Sequence, residues 1–281
     1  MRISLSYATR GRFPDNVAIS CQDKVVSVSG RIPTYHFFSL IELFKRGWRL
    51  IPIDDGYVLL YNEKESVRIK YAASGLHVTA LADIFLNEIY GKAFKNMVVV
   101  DIGMANGDSS IFFAKKGARL VIGLEPNPSS FNLAKENIEL NGVEDIVVPL
   151  NLALSRAEGR GDLRVASRAP FWSTMISSDV IKQPKEMIAW FDALVTVQTT
   201  TLDALMQHFS LDRIDLLKFN CEGCEHEVIL SAADDTLSRV SEVIMEFHGD
   251  SSNIQSRLKS LGFRVAVLRG NQTLGILDAK M

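Results

Sequence analysis

The chain has 281 residues, of which 47% are hydrophobic and 23% are charged, and its formal net charge is −2. This length suits one large domain, or one domain with a small appendage, and the near-neutral charge offers no broad basic field for nucleic acid phosphates. The apolar runs are too short to span a bilayer, the first residues lack a signal-peptide core, and three cysteines are too few for a disulfide framework, so we expect a cytoplasmic protein.

The first 95 residues do not follow the alternation of strands and helices that the rest of the chain shows. A helix capped at Thr34 is predicted first. The positions on its inner face are Phe37, Ile41 and Phe44. Two strands follow in the sequence RLIPIDDGYVLLYN, joined by its central Asp-Asp-Gly turn, and a second helix is predicted over 78–90. Residues 1–95 are therefore interpreted as a small α+β appendage.

Residues 98–127 read VVVDIGMANGDSSIFFAKKGARLVIGLEPN, which predicts a strand, a glycine-containing turn, a helix and a second strand. Gly103 and Gly107 let the backbone turn sharply and approach a ligand, and the helix that follows exposes N–H groups suited to an anion. Asp101 ends the first strand, where it can take a cationic amine. Glu125 ends the second, where an acid commonly holds ribose hydroxyls. The segment is interpreted as one end of a nucleotide-type cofactor site.

The spacing of the glycines separates two classes of cofactor. A dinucleotide fingerprint, G-x-G-x-x-G/A, is broken because Ala105 and Asp108 occupy its second and third glycine positions. The pattern D-x-G-x-x-x-G that is present is typical of S-adenosylmethionine enzymes. We therefore expect S-adenosylmethionine, with NAD as the alternative cofactor and a βαβ unit without any ligand as a third interpretation.

From residue 97 onward, strands and helices alternate, which predicts a mainly parallel sheet with helices on both faces. Besides the strand near residue 97, the predicted strands are 119–124, 145–150, 214–219, 242–247, 263–268 and 273–277. The predicted helices are 128–140, with Phe131, Ala134 and Ile138 inward, one from about residue 225, and 254–261. A polar segment at 157–185 interrupts the pattern, with basic residues at Arg156, Arg160, Arg164 and Arg168. Such an interruption is usually functional or mobile. Its arginines either hold an anionic substrate or are simply solvated.

Polar residues follow two later strands at their carboxyl ends, where ligands bind in open α/β sheets. The sequence IDLLKFNCEGCE carries Lys218, Asn220 and Glu222, and the sequence VIMEFHGD carries Glu246 and His248. Together with the acids at the ends of the first two strands, they predict a cleft with several candidate acids and bases.

Six sequence blocks in this order make the chain resemble the FkbM-type S-adenosylmethionine-dependent methyltransferases. The blocks are VVVDIGMANGDSS, GLEPNP, LNLALS, TTTLDAL, IDLLKFNCEGCEHEVI and IMEFH. The resemblance covers residues from about 97 to 250. It implies a Rossmann-like class I methyltransferase fold over 96–281, with a mainly parallel seven-stranded sheet, and O-methylation of a hydroxyl on a sugar, glycan or small natural product.

The resemblance also implies roles for residues of the cofactor site. Those around the methionine part are Asp101, Gly103 and Gly107. Asn106, in the same turn, is also expected to bind the cofactor. Glu125 is expected at the ribose hydroxyls, and Asn127 and Asn151 near the adenosine.

The chain departs from the family pattern in the block at 214–229. The family usually has Asp where this chain has Asn220, and small apolar residues where it has Cys221 and Cys224. Because asparagine is no general base, we expect Glu222, Glu246 or His248 to take that role, with Glu222 or His248 favoured. Lys218 is expected to position polar groups. The alternative interpretation is that Lys218 and Glu222 only pair with each other.

Other interpretations follow from single features. Cys221 and Cys224 with His226 and His248 offer four zinc ligands, but the spacing matches no common structural site, so we expect no metal. A redox pair is disfavoured because it follows a central strand instead of opening a helix. Without an Asn-Pro-Pro-aromatic signature, a nucleic-acid methyltransferase is the runner-up to an enzyme with a small-molecule or glycan acceptor. A non-catalytic S-adenosylmethionine-binding module is the remaining alternative, and residues 1–95 and 156–185 are expected to select the acceptor.

Overall fold

The computed structural model describes residues 2–6, 16–21, 24–29, 34–53, 56–72, 78–166, 173–175, 191–271 and 273–281, with side chains from residue 38 onward. The strands are β1 Arg2–Ser6, β2 Asn16–Cys21, β3 Lys24–Ser29, β4 Arg49–Pro52, β5 Tyr57–Asn62, β6 Val67–Ala72, β7 Val98–Ile102, β8 Leu120–Leu124, β9 Val147–Leu150, β10 Ala153–Leu154, β11 Gly159–Val165, β12 Ala193–Thr200, β13 Ile214–Phe219, β14 Val240–His248, β15 Arg264–Gly270 and β16 Leu274–Lys280. The helices are α1 Thr34–Lys45, α2 Val78–Phe85, α3 Asp108–Lys115, α4 Pro128–Asn141, α5 Leu202–His208, α6 Cys224–Ser231, α7 Asp234–Ser238 and α8 Ser252–Ser260. Within these ranges no helix combines the length and apolarity that a membrane crossing requires.

The predicted seven-stranded, mainly parallel sheet is confirmed. Its strand order is β15-β16-β14-β13-β7-β8-β9, and only the pairings of β16 with β14 and with β15 are antiparallel. The chain runs outward from β7 to β8 and β9, then returns to the other side of β7 to form β13 and β14. This reversal places a crevice at the carboxyl ends of β7 and β13, where ligands bind in such sheets.

Both faces of the sheet are covered, as the apolar sequence of its central strand requires. All five residues of β7 are buried, and successive side chains of a strand point to opposite faces. Val99 packs in a hydrophobic cluster with Phe112 of α3, whereas Val100 packs in a second cluster with Val228 of α6. The continuous VVV run therefore marks a strand buried on both sides.

The N-terminal region shares its core with the main sheet. The predicted hairpin forms β4 and β5, and β6 adds a third antiparallel strand that the sequence analysis did not predict. Leu60 and Ile69 of this small sheet lie in the same hydrophobic cluster as Phe112 of α3. The division of the chain at residues 95 and 96 stays a prediction.

The predicted inner face of α1 is partly wrong. Leu40 and Leu43 are buried, whereas Ile41 is only half-buried and Phe44 packs against the core from its edge. The side chain of Phe37 lies outside the described residues. Leu40 and Leu43 share a hydrophobic cluster with Leu81 of α2 and Leu60 of β5, so the buried face of the helix is rotated from the predicted one.

Two asparagines of α4 bind the free edge of β6. The side chain of Asn137 accepts a hydrogen bond from the backbone N–H of Lys70 (2.7 Å) and donates to its carbonyl (3.0 Å). Asn141, one turn later, does the same for Arg68 at 2.9 and 2.6 Å. These side chains satisfy backbone groups that an edge strand otherwise leaves unpaired. Of the inward positions predicted for this helix, Ala134 and Ile138 are buried and Phe131 is half-buried.

Part of the polar segment at 157–185 forms β11, which belongs to another three-stranded sheet with the order β10-β12-β11. Leu163 and Val165 of β11 face a small apolar cluster, while Arg160 and Arg164 lie on the exposed face of the same strand. Arg156 pairs with Glu227 at 3.2 Å. Arg168 lies outside the described residues.

Candidate active site

A pocket lies at the carboxyl ends of the central strands. Its walls come from the segments that follow β7, β8, β9 and β13, and from Leu163, Ser173 and Met175 of the inserted region. The predicted site residues in its lining are Gly103, Glu125, Asn220 and Glu222. The other predicted residues are not part of this lining.

Asp101 and Lys218 form a buried ion pair behind the pocket. Both side chains are almost completely buried, and the Lys218 Nζ lies 2.7 Å from the Asp101 Oδ1. The hydroxyls of Ser109 and Ser110 each donate to the Asp101 Oδ2 at 2.6 Å. The amine that Asp101 holds in this structure is thus the one on Lys218, and direct contact with a cofactor stays a prediction. The alternative that Lys218 pairs with Glu222 is wrong.

The turn after β7 has the backbone shape that its glycines predict. Gly103 has a φ of 75°, and a Cβ at that position would collide with the carbonyl oxygen of Asn220. The Nζ of Lys218 donates to the Gly103 carbonyl at 2.9 Å. Gly107, with a φ of 86°, begins α3. Asn106 is buried, and its backbone carbonyl accepts from Asn137 at 2.9 Å, so α4 and Lys218 together fix this turn.

Glu125 is a buried acid in the pocket wall. Its two carboxylate oxygens accept from the backbone N–H groups of Ala105 (3.0 Å) and Asn127 (2.8 Å). Burial raises the pKa of Glu125 to about 7, against the lowering effect of these two N–H donors. The carboxylate therefore connects the turn after β7 with the segment after β8.

Asn127 and Asn151 hold the segment after β8. The side-chain oxygen of Asn127 caps α4 by accepting from Ser129 N–H at 3.0 Å. Its amide also donates to the Ser173 hydroxyl at 3.1 Å. The Asn151 amide donates to the carbonyls of Glu125 and Pro126 at 2.8 and 3.0 Å. In this structure both asparagines support the pocket wall, and their contact with an adenosine stays a prediction.

Glu222, His248 and Glu225 form a chain of charges beside the pocket. The His248 Nε2 lies 3.3 Å from a Glu222 oxygen, and its Nδ1 lies 3.3 Å from a Glu225 oxygen. Burial disfavours the imidazolium, but the two carboxylates together raise the pKa of His248 well above its usual value. Burial also raises the pKa of Glu222 to about 7, although His248 opposes that shift. The histidine is therefore the cation of the group, and Glu222 is the acid that titrates near neutrality.

Asn220 and Glu246 stand next to this group. Burial, followed by the charge of Glu246, raises the pKa of Tyr90, whereas the side chain of Asn220 acts to lower it. Glu246 also raises the pKa of Glu222. Glu246 does not line the pocket, so its influence on the site is electrostatic.

Cys221 and Cys224 form a disulfide bond in the turn after β13, with their Cα atoms 5.5 Å apart. The expectation that this pair does not open a helix is wrong, because Cys224 is the first residue of α6. Gly223 has a φ of 112° and completes the turn immediately before it. In this state neither sulfur is a thiolate ligand, and no cluster of three metal-binding side chains occurs in the parts of the chain that the structure describes.

Several residues near the site were not predicted. Glu225 is completely buried and accepts from the backbone N–H groups of Gly223 (3.0 Å) and His248 (2.7 Å). Tyr71 of β6 donates to Asp108 at 2.9 Å, and burial raises the pKa of Asp108 to about 6. The one available signal in the sequence was the position of Glu225 directly after the C-x-x-C motif. Tyr71 gave no signal, because it lies far from Asp108 in the chain.

The curated relatives of this chain include fungal and bacterial methyltransferases. Methyltransferase 1 from Beauveria bassiana (strain ARSEF 2860) is 26% identical over 202 residues, which cover 66% of this chain and 81% of that protein. Ribosomal protein L11 methyltransferase from Lactobacillus delbrueckii subsp. bulgaricus (strain ATCC BAA-365 / Lb-18) is 27% identical over 136 residues, which cover 47% of this chain and 41% of that protein. The chain thus spans most of the fungal relative and less than half of the bacterial one.

Among solved structures, Methyltransferase FkbM from Methylobacillus flagellatus KT aligns with a TM-score of 0.47 and 10% identity, covering 70% of this chain and 47% of that one. Residues 101–265, more than half of the chain, match the family described as Methyltransferase FkbM domain. The matched range contains the four strand ends that contribute to the pocket. The chain belongs to the FkbM methyltransferase family, and the prediction of an S-adenosylmethionine-dependent methyltransferase is confirmed.

Proposed function

We propose that the protein methylates a hydroxyl oxygen of a small molecule or glycan, such as a sugar or a natural product. The observation that carries this proposal is the position of Glu222, which lines the pocket and has a pKa raised to about 7. A carboxylate with such a pKa can take a proton from a hydroxyl at neutral pH. An amine acceptor has less need of a base, because it can lose its proton after the transfer.

The lining of the pocket suits S-adenosylmethionine. Glu125 offers carboxylate oxygens to a ribose diol, and Pro126 and Leu152 offer apolar surface to a purine ring. Gly103 and Ala105 bring backbone close to the opposite end of the pocket. Asp101, Asn106, Gly107, Asn127 and Asn151 complete our proposed cofactor site.

When bound, S-adenosylmethionine would supply a sulfonium methyl group for transfer to the acceptor oxygen. Glu222 takes the proton of the acceptor hydroxyl as the new bond forms. The imidazolium of His248 orients the Glu222 carboxylate through their 3.3 Å contact. His248 is not the base in this proposal, because two carboxylates keep it protonated at neutral pH.

The other candidate groups are proposed to support this step. Lys218 holds the turn after β7 through the Gly103 carbonyl. Asn220 takes no proton, since an amide is not basic, but its place in the pocket lining suits hydrogen bonding to an acceptor. Glu246 keeps the local potential negative, which favours protonation of its neighbours.

The acceptor site is proposed to lie towards the polar segment at 157–185. Leu163 and Met175 line the same pocket as Glu222, so an acceptor with apolar surface as well as a hydroxyl fits there. A cytoplasmic location and the absence of a nucleic acid partner are parts of this proposal.

The proposal is tested by incubating the protein with methyl-labelled S-adenosylmethionine and cell fractions that hold small molecules, glycans, protein or RNA. We expect label in the small-molecule or glycan fraction as a methyl ether, which survives mild alkali. Glu222→Gln should lower kcat by about a hundredfold or more. Its stabilisation by S-adenosylhomocysteine in a thermal shift should persist, because that effect follows cofactor affinity.

The matched control is Glu144→Gln, an exposed glutamate before β9, which should leave both readouts unchanged. Label confined to protein or RNA would replace the hydroxyl proposal with the corresponding alternative. Full activity of Glu222→Gln would remove this residue from the chemistry.

A further inference from the structure

The disulfide between Cys221 and Cys224 encloses the proposed base. Glu222 and Gly223 are the only residues between the two cysteines, and both sulfur-bearing residues line the pocket together with Glu222. Glu222 has a φ of 54°, in the left-handed region that costs energy for a residue with a Cβ. The disulfide closes a short covalent ring that includes the backbone of Glu222. This ring therefore helps to hold Glu222 in that conformation.

We propose that the Cys221–Cys224 disulfide is a reversible redox site whose oxidised form positions Glu222 for methyl transfer. The inference rests on the proposed function for its catalytic consequence. Its structural part, the coupling of the disulfide to the contact between Glu222 and His248, stands independently of the acceptor.

The surroundings of the pair suit the dithiol form as well as the disulfide. The Cys221 sulfur lies 3.4 Å from a Glu225 oxygen. In the disulfide that sulfur carries no hydrogen, whereas after reduction its S–H can donate to this buried carboxylate. Cys224 is the first residue of the eight-residue helix α6, where the free N–H groups of the first turn stabilise a thiolate. Each sulfur therefore has a partner in the reduced state.

Reduction requires a dithiol as the co-reactant. A thiolate of that reagent attacks one sulfur of the pair, the bond between Cys221 and Cys224 breaks, and the released thiolate takes up a proton. The second thiol of the reagent then displaces the other cysteine, which is protonated in turn. Two electrons and two protons pass to the protein, and the reagent leaves as its own disulfide.

Release of the ring lets Glu222 leave the left-handed conformation and lose its contact with His248. The remaining restraints on the turn are backbone contacts, such as that of the Glu222 carbonyl with the Thr174 hydroxyl at 2.7 Å and that of Gly223 N–H with Glu225. We expect reduction to lower kcat about tenfold, with little change in affinity for S-adenosylhomocysteine.

The experiment uses the full chain with Cys21→Ser, which removes the third cysteine. Protein is prepared after oxidised glutathione or after dithiothreitol, and the free thiols are alkylated and counted by intact mass. We expect none in the oxidised sample and two in the reduced sample. Turnover should differ about tenfold between them and recover on reoxidation.

Two further measurements separate positioning from general damage. NMR titration of the His248 ring, which needs no acceptor, should give a lower pKa after reduction, because the Glu222 carboxylate has moved away. Cys224→Ser should match the reduced protein in both samples and show no response to oxidant.

Two free thiols after treatment with oxidant would overturn the proposal, and so would identical His248 titrations in the two states. Failure of the hydroxyl-methylation proposal alone would leave the thiol count and the histidine titration as expected, which distinguishes the two failures.

Discussion

The charges of the site are arranged so that one histidine bonds to two acids. Both ring nitrogens of His248 face carboxylate oxygens, those of Glu222 and of Glu225. Glu225 has no exposed surface and is held by two backbone N–H groups. It fixes the ring, and Glu222 is left as the member of the group that faces the pocket.

At the residue scale, His248→Gln tests this arrangement. Loss of the imidazolium removes the charge that lowers the pKa of Glu222, so that pKa should rise further above its ordinary value. Because the proposed base, Glu222, acts when deprotonated, the acidic limb of the kcat profile should move to higher pH by about one unit. The measurement is kcat from pH 5.5 to 9, with His208→Gln on α5, an exposed histidine, as the control. An unmoved limb would show that His248 does not act on Glu222.

The acidic and basic residues near the pocket were predicted from the sequence, but their partners were not. Glu222, Asn220 and Glu125 were predicted and line the pocket. Lys218 was expected to position polar groups, with a pairing to Glu222 as the alternative, and its ion pair with Asp101 was not predicted. That pair forms because adjacent parallel strands place Lys218 and Asp101 side by side in register. Register across strands is a tertiary property, which a single sequence does not encode in any local pattern.

At the scale of elements, α4 joins the small sheet β4-β5-β6 to the turn after β7. Asn137 and Asn141 bind successive outward-facing backbone positions of β6. Asn137 alone also donates to the Asn106 carbonyl in the turn after β7. One helix therefore supports both the edge of a sheet and the loop on which the proposed cofactor site depends.

Asn137→Ala and Asn141→Ala form a matched pair. Each change leaves backbone groups of β6 without partners and should lower the free energy of unfolding by about 1–3 kcal/mol, measured by urea denaturation. Only Asn137→Ala should also weaken the binding of S-adenosylhomocysteine, by several-fold in calorimetry. Equal losses of S-adenosylhomocysteine binding in the two variants would contradict a role for Asn137 in holding the turn after β7.

The elements with a strong apolar pattern in the sequence were predicted. The elements that depend on contacts with residues distant in the sequence were not. The apolar strands β7, β8, β13 and β14 stood out because they are buried on both faces. β6 was missed because its edge is completed by α4, about 70 positions later in the chain. In the polar segment at 157–185, β11 was missed because its alternation of buried and exposed residues includes Gly159 and Gly161, which weaken a strand pattern.

At the scale of the whole molecule, buried acids make stability depend on pH. Glu125 and Asp108 have raised pKa values of about 7 and 6, and Glu222 follows the same direction. A carboxyl whose pKa is higher in the folded state binds its proton more tightly there. The contribution of such a carboxyl to stability is therefore most favourable at low pH. It declines as the pH rises from the pKa of the unfolded state through the pKa of the folded state.

Glu125→Gln isolates this effect, because glutamine is neutral at every pH. The amide also disturbs two N–H donors, which adds a constant loss of stability. Relative to the unchanged protein, the free energy of unfolding of the variant should rise by roughly 1–3 kcal/mol between pH 5 and pH 8. The rise is followed through the difference in Tm between the two proteins, measured without cofactor at each pH. Glu144→Gln should show no such trend. A Tm difference for Glu125→Gln that stays constant with pH would mean that Glu125 is ionised throughout.

The placement of β16 has a consequence for biosynthesis. This strand follows β15 in the chain but lies between β14 and β15, and within the described sheet β15 pairs only with β16. When only residues up to 270 have been synthesised, β16 is missing. The edge of β14 is then unpaired, and β15 lacks the strand with which it pairs. Such a nascent chain exposes strand edges prone to aggregation. A stop codon between β15 and β16 therefore costs the protein two strands, although it deletes only one.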